Sequence, residues 1–380
     1  MRVVHVVTLV SDDGAYGGPT SVALGHLDEL AARGHSVALL SLWRGKSQAP
    51  KRIGSVLLRS RPARTIVPGQ GFLGLMHPML VRDMWRAMKG ADVVHVHAGR
   101  DLVSLTALTL AVMRRKRFFV QTHGMVEPRQ TVAARLFDRA YVPLLRRARG
   151  CLVLTEAEGQ ALTGAIGPDG PPLLLLPNGV RPPAGRDERG PDSREVLFLA
   201  RLHPRKRPEA FVEMAALVHK EVTDARFTLY GSDEGSLPGV RELIAARGLD
   251  TVVSYGGALE YTDAVRAYRQ ASVYVLPSVN EPFPMTVLEA LAAGTPVVCT
   301  DSSGIAGELA RRKAAIVTDG SPQEMADAVR DLLGDEELRR SLAEAGRRAV
   351  DEVFSIRAVG DRLEDIYNCR QQSNGDDADL

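Results

Sequence analysis

Cysteine is scarce in these 380 residues. Cys151, Cys299 and Cys369 are odd in number and far apart, which offers neither a disulfide framework nor a thiolate zinc cluster and suits a reducing compartment. Aromatic residues make up 5% of the chain and are not interleaved with the basic ones, so stacking on nucleic acid bases is not expected. No apolar run approaches the roughly 20 residues of a membrane span. The opening MRVVHVVTLV has the hydropathy of a short leader. The polar, acidic SDDG that follows is not a small-residue cleavage site, so the stretch reads as a buried first strand. The glycine-rich loop at 11–20 lacks the Lys-Ser/Thr of a Walker A motif and the spacing of a dinucleotide fingerprint. No Asp-x-Asp pair of the metal-ligating kind lies near the loops singled out below.

What is present is ordinary globular composition, 45% hydrophobic and 25% charged. At this length a single core stops growing and about two domains are expected. The net charge of +2 conceals an asymmetry: 23 Lys and Arg stand against 12 Asp and Glu up to Asn178, and 25 against 34 beyond it. Runs such as MRRKR (113–117) and RRAR (146–149) suit an anionic partner, whether membrane surface, lipid phosphate or phosphorylated substrate. They read equally as solvated helix ends.

Short β-branched runs alternate with segments of helical period, the pattern of parallel sheets wrapped by helices. The first series is VVHVVTLV (3–10), VALLSL (37–42), DVVHVH (92–97), RFFVQT (117–122), CLVLT (151–155) and PLLLLP (172–177). GVRPPAGRDERGPDS (179–193) is rich in Pro, Gly and charge and reads as a linker. The alternation then restarts with EVLFLAR (195–201), RFTLYG (226–231), VVSYGG (252–257), SVYVLPS (272–278), PVVCTD (296–301) and AAIVT (314–318). The fold class is therefore α/β, two doubly wound Rossmann-like domains, with a cleft where two such domains face each other. The domains run over 1–178 and 194–353, a C-terminal helix over 354–370, and a polar, disordered tail over 371–380.

In open α/β sheets, ligands sit beyond the carboxyl ends of strands. Four stretches lie there. SDDGAYGGPT (11–20) joins the first strand to the first helix, and Gly17 and Gly18 either present amides to an anion or make a tight turn. In ARLHPRKRPE (200–209), Arg201 and Lys206 stand at a strand end and near a helix start, so two cations could converge on a diphosphate; an exposed basic turn is the plainer reading. In NEPFPMTVLEALAAGTPVV (280–298), Glu281 falls in the loop after a strand, Met285 to Ala293 read as a helix, and Glu289 stands about one turn inside it. Carboxylates at such places suit sugar hydroxyls, since a vicinal diol can bind one carboxylate through both hydroxyls. In QTHGMVEP (121–128), His123 either donates to a substrate oxygen or is a satisfied structural residue, with Gly124 sparing space beside it. His5, His95 and His97 lie inside apolar strands and read as buried, hydrogen-bonded residues rather than a metal site.

Together these residues resemble the retaining glycosyltransferases of the GT-B fold, in the large family 4 (group 1), over nearly the whole chain. The most specific part is Glu281-x7-Glu289; Gly17-Gly18, THG (122–124), LTEAE (154–158), PNGV (177–180) and Arg201 with Lys206 support it. The resemblance implies a hexosyl transfer from a nucleotide diphosphate sugar to a hydroxyl of a sugar, lipid-linked or small-molecule acceptor, in bacterial polysaccharide, glycolipid or glycosylated natural-product synthesis. It implies that Arg201, Lys206 and the amides of Gly17 and Gly18 hold the diphosphate, and that Glu289 takes the ribose. It also implies that Glu281, with Phe283, Pro284, Met285 and Thr286, holds the transferred sugar, that His123 contacts that sugar, and that Gly257, Ala258 and Leu259 lie along the base. Glu281 and His123 are the implied catalytic pair. The second domain holds the donor, the first holds the acceptor, and the C-terminal helix packs back toward the first domain. No metal and no cofactor beyond the nucleotide sugar is implied.

There are departures from the family pattern. Pro284 stands where Gly is frequent and removes one N–H donor, Arg181 stands where Asp is frequent, and Ala200 replaces a common Gly. A nucleotide-sugar 2-epimerase of the same fold and a non-catalytic sugar-nucleotide binder are the rival readings. The expected location is cytoplasmic, with peripheral association to anionic membrane through the basic first half.

Overall fold

The computed structural model describes residues 1–12, 17–128, 131–183 and 194–368. Most of the expected linker and the expected disordered tail lie outside these. The chain divides into two compact units, Met1–Gly179 with the segment that begins at Ile356, and Val180–Ser355.

The strands of the first unit are β1 (Arg2–Ser11), β2 (Ser36–Arg44), β3 (Arg52–Ile53), β4 (Val56–Pro62), β5 (Arg64–Thr65), β6 (Leu75–Met76), β7 (Val93–His97), β8 (Phe118–Gln121), β9 (Gly150–Val153) and β10 (Leu173–Leu175). Eight of them form one sheet in the order β10-β9-β8-β7-β1-β2-β4-β3, while β5 and β6 pair separately. All neighbours in the large sheet are parallel except β3 with β4. The central strands are buried on both faces, which is why they read as continuous apolar runs. The chain winds outward from β1 to one edge and returns to wind outward on the other side, so the direction reverses between β1 and β7.

Alternate residues of β1 and β7 feed two cores. Val4, Val6, Val94 and Val96 pack with α2 (Pro78–Gly90) and α3 (Leu102–Met113). Val3, Val7, Val93 and Phe119 pack with Ala23, Leu27 and Leu30 of α1 (Gly17–Ala32) and with Val359, Leu363 and Tyr367 of the C-terminal helix (Ile356–Asn368). Arg33, at the end of α1, pairs with Asp361 at 2.6 Å and Glu364 at 2.9 Å. The last helix thus completes the core of the unit in which the chain begins. Gly34 takes a φ of +83° and closes α1 by donating to Ala31 O. β4 is a strand that the alternation misses: Val56–Pro62 carries Arg59 and Arg61 and buries one side, so it lacks the apolar continuity of its neighbours.

In the second unit β11 (Glu195–Leu199), β12 (Arg226–Tyr230), β13 (Val253–Tyr255), β14 (Val273–Leu276), β15 (Val297–Thr300) and β16 (Ile316–Thr318) are all parallel, in the order β13-β12-β11-β14-β15-β16. Here the winding reverses between β11 and β14. Both units are doubly wound Rossmann-like sheets, as the alternation of strands and helices requires.

Candidate active site

The loops that leave β11 and β14 flank the reversal point of the second sheet. After β11 a short turn, Pro204–Lys206, is held by His203, whose Nδ1 accepts from Arg205 N at 3.1 Å. Arg207 at φ +52° then turns the chain into the helix Pro208–His219. This geometry buries Lys206, 8% exposed. Its ammonium lies 2.5 Å from Glu281 Oε2, and Glu281 is itself only 7% exposed. Ser278 Oγ lies 3.4 Å from the same carboxylate oxygen and Arg205 Nε 4.0 Å. Backbone bonds lock this arrangement: Val279 N donates to Arg205 O at 3.0 Å between the two loops, and Gly304 N, in the loop after β15, donates to Glu281 O at 2.9 Å, with Asn280 at φ +49°. Burial lowers the pKa of Lys206, opposed by Glu281 and reinforced by Arg205 and Arg201.

Arg201 does not share a partner with Lys206. It is exposed, and its Nη1 reaches both oxygens of Glu234 at 2.8 and 2.9 Å. Glu289 lies in the helix Met285–Ala293 and accepts from the Tyr268 hydroxyl at 3.2 Å. Burial raises its pKa, and the Tyr268 bond works against that rise. The Tyr274 hydroxyl donates to Leu199 O at 3.1 Å and lies 2.8 Å from Thr286 Oγ1, fixing the start of the same helix to the end of β11. Pro284 is the residue before that helix, Met285 is half-buried, and Phe283 meets Phe354 edge-on at 6.3 Å. Gly257, Ala258 and Leu259 follow β13. Gly257 adopts φ +78° and accepts from Gly231 N at 2.8 Å.

In the first unit, His123 and Gly124 leave β8 with φ of +50° and +72°. Glu158 holds this turn: its Oε1 accepts from Thr122 Oγ1 at 2.7 Å and Gly124 N at 2.6 Å, and its Oε2 from Leu154 N at 2.7 Å. Thr155 caps the helix Glu156–Ile166 by accepting from Glu158 N at 3.2 Å, so the T-x-x-E spacing carries a helix cap whose acid reaches a second loop. That clamp is a structural feature which the sequence shows only as the fragment LTEAE. His123 Nε2 lies 2.8 Å from His97 Nδ1, with the rings stacked. Desolvation holds its pKa at about 3. Gly17 is the first residue of α1 and Gly18 is exposed. Thr20 Oγ1 donates to Leu9 O at 2.9 Å, pinning that helix to β1.

Several of the basic runs are engaged internally. Lys116 Nζ donates to the carbonyls of Lys89 and Ala91, Arg146 donates to Ile166 O, and Arg114 lies 3.6 Å over the Trp85 ring. These residues hold neighbouring carbonyls and a ring, while Arg115, Arg117, Arg147 and Arg149 of the same runs are exposed.

Two family models match the chain. One, described as Glycosyl transferases group 1, covers residues 186–349, and the other, a Glycosyl transferase 4-like domain, covers residues 17–179. The chain is a group 1 glycosyltransferase of the GT-B fold. Among relatives of this glycosyltransferase is the D-inositol 3-phosphate glycosyltransferase of Paenarthrobacter aurescens, 28% identical over 70% of this chain and 69% of that one. The alpha-D-kanosaminyltransferase of Streptomyces kanamyceticus is 32% identical over 48% of this chain and 47% of that one. Among solved structures, Anabaena HepE in complex with UDP superposes with a TM-score of 0.76, at 15% identity over 97% of this chain and all of the other. No helix among the described residues is long and apolar enough to cross a membrane.

Proposed function

We propose that this glycosyltransferase moves a hexosyl group from a nucleotide diphosphate sugar to an acceptor hydroxyl with retention of anomeric configuration. The observation that carries this reading is the buried Lys206–Glu281 pair at the reversal point of the second sheet. An ammonium with one N–H on Glu281 keeps two for a leaving phosphate, while Glu281 keeps lone pairs for sugar hydroxyls. The UDP in the HepE complex and the transferase names of the relatives support the donor class.

In the reaction, the anomeric C–O bond to the diphosphate breaks as the acceptor oxygen bonds to the same carbon from the same face. The acceptor's proton passes to an oxygen of the leaving phosphate. The charge growing on that phosphate is met by Lys206 and by Arg201, which exchanges Glu234 for the ligand. Glu289 takes the ribose hydroxyls, the stretch Phe283–Thr286 lines the sugar with Pro284 contributing no amide, and Gly257, Ala258 and Leu259 flank the base. In the first unit His123 and the amides of Gly17 and Gly18 are ligand-facing groups. Transfer then depends on protein cations, and added Mg²⁺ or Mn²⁺ leaves its rate unchanged. The acceptor is a sugar, polyol or lipid-linked hydroxyl, and a phosphorylated acceptor suits the basic first unit. Synthesis of a bacterial polysaccharide, glycolipid or glycosylated natural product at the cytoplasmic membrane face fits this chemistry.

The test is a panel of nucleotide diphosphate sugars scored for thermal stabilisation and slow hydrolysis. A donor at 100 times its Kd stabilises by about 2.7 kcal/mol, and the shift is lost in Lys206→Ala. Stabilisation by none of them overturns the reading. Epimerised nucleotide sugar formed without any acceptor turns it to an epimerase.

A further inference from the structure

The register of β1 on β7 sets His5 opposite His95, and His97 follows two residues on, on the same face. These positions continue the Val3, Val7 and Val93 series that packs on α1 and the C-terminal helix. Where packing alone calls for apolar side chains, the fold places three imidazoles, and α1 adds His26. All four rings are buried, none more than 1% exposed.

One ring nitrogen of each of the four lies within 4.8 Å of the others'. His97 Nε2 and His5 Nδ1 are 3.0 Å apart. His95 Nε2 and both nitrogens of His26 are buried without a protein partner. The remaining nitrogens are all engaged: His5 Nε2 and His95 Nδ1 on the Tyr367 hydroxyl at 3.0 and 2.6 Å, and His97 Nδ1 on His123 Nε2. Inner nitrogens that converge, backed by outer nitrogens within hydrogen-bond distance of Tyr367 and His123, are the arrangement of histidine metal ligands and their supporting shell.

We infer that His5, His26, His95 and His97 form a structural binding site for a late first-row dication of the zinc class. His5 Nδ1, His97 Nε2, His95 Nε2 and one nitrogen of His26 are the ligands. Tyr367 accepts from His5 and His95, and His123 accepts from His97. Four imidazoles suit zinc, copper or nickel rather than magnesium or calcium. Burial already holds the rings neutral, His26 at about 3 and the others well below the ordinary value, so each offers a lone pair without releasing a proton. The alternative that the protein itself supplies is Gln121, which lies close enough to act on His95 as a hydrogen-bonding group, although neither its amide nor His95 Nε2 has a partner in hydrogen-bond geometry. Four neutral ligands leave the dication's charge uncompensated, so affinity falls below that of thiolate sites.

The test uses the full chain without an affinity tag, stripped by chelator and titrated with Zn²⁺ and Co²⁺. Expected are one metal per chain, a thermal shift with Zn²⁺, and the visible absorption of four-coordinate Co²⁺. His26→Ala removes the ring that makes no protein hydrogen bond, and it lowers affinity at least tenfold. Unchanged binding by that variant, or no metal bound by the parent chain, overturns the site. Zinc-edge absorption spectroscopy of the parent chain decides the matter if the variant fails to fold. Four imidazole nitrogens at about 2.0–2.1 Å support the site, and a shell of oxygens or fewer than three imidazoles overturns it. The transferase reading does not enter these outcomes.

Discussion

Lys206 Nζ lies 2.5 Å from Glu281 Oε2, and both side chains are buried. A buried pair of this kind is poor evidence of net stabilisation, but removing one member leaves the other charge without compensation. Lys206→Ala is expected to cost about 3–5 kcal/mol of stability and, through the lost phosphate cation, about 10²–10³ in kcat/KM. The double variant K206M/E281Q recovers much of the stability and none of the activity. Denaturant melts alongside donor kinetics check both halves. A fully stable K206A would show that the pair is not held as described.

Glu158 accepts three hydrogen bonds, two of them flanking His123. In Glu158→Gln an amide N–H must face a backbone N–H, and each charged bond lost costs about 1.5–3 kcal/mol. A ligand-facing His123 then loses its aim, and a displacement of about 1 Å costs on the order of 10² in rate. The fall should appear in kcat with KM for the donor little changed. A variant with wild-type kcat would reduce the clamp to a helix cap.

Glu289 is held above the ordinary carboxyl range by burial. The folded protein therefore binds this proton more tightly than the unfolded chain, and the ionised side chain lowers stability at neutral pH. Glu289→Gln keeps the Tyr268 bond and removes that charge. It should melt higher at pH 7, by about 2–4 °C for each kcal/mol relieved, with donor binding lost. As pH falls below the ordinary carboxyl pKa the proton is bound in both states, and the difference should vanish. Melts of both proteins from pH 4 to 8 measure this, and a pH-independent gap would contradict it.

Gly231 adopts φ +145°, and a Cβ there would meet Ala200 O at 1.9 Å. Gly231→Ala must displace the backbone leading into Arg201 and disturb the bond from Gly231 N to Gly257 O. A loss of more than about 1–3 kcal/mol is expected, with donor KM raised. Calorimetry with donor titration tests this; a variant with unchanged melting and KM would mean the backbone relaxes at no cost.

The sheets were legible because parallel strands buried on both faces are written as unbroken apolar runs, and the loops that follow them carry Lys206, Glu281 and His123 at visible strand ends. β4 was not legible, since Arg59 and Arg61 interrupt it. Pairings across the fold were hidden as well. Nothing local announces that Arg201 meets Glu234 or that Glu158 reaches the turn at His123. The three strand histidines read as buried and hydrogen-bonded, which they are; that His26 joins them was hidden, because it sits on a helix whose neighbours in space only the register of β1 and β7 defines.

Closure of the first sheet by the helix Ile356–Asn368 imposes an order on synthesis. A ribosome delivers β1 long before Tyr367, with the second unit between them, so the imidazoles of His5 and His95 wait for their shared hydroxyl until that unit has been made. During that interval the nascent first unit exposes an apolar groove along α1, and the helix Ile356–Asn368 seals it on emerging.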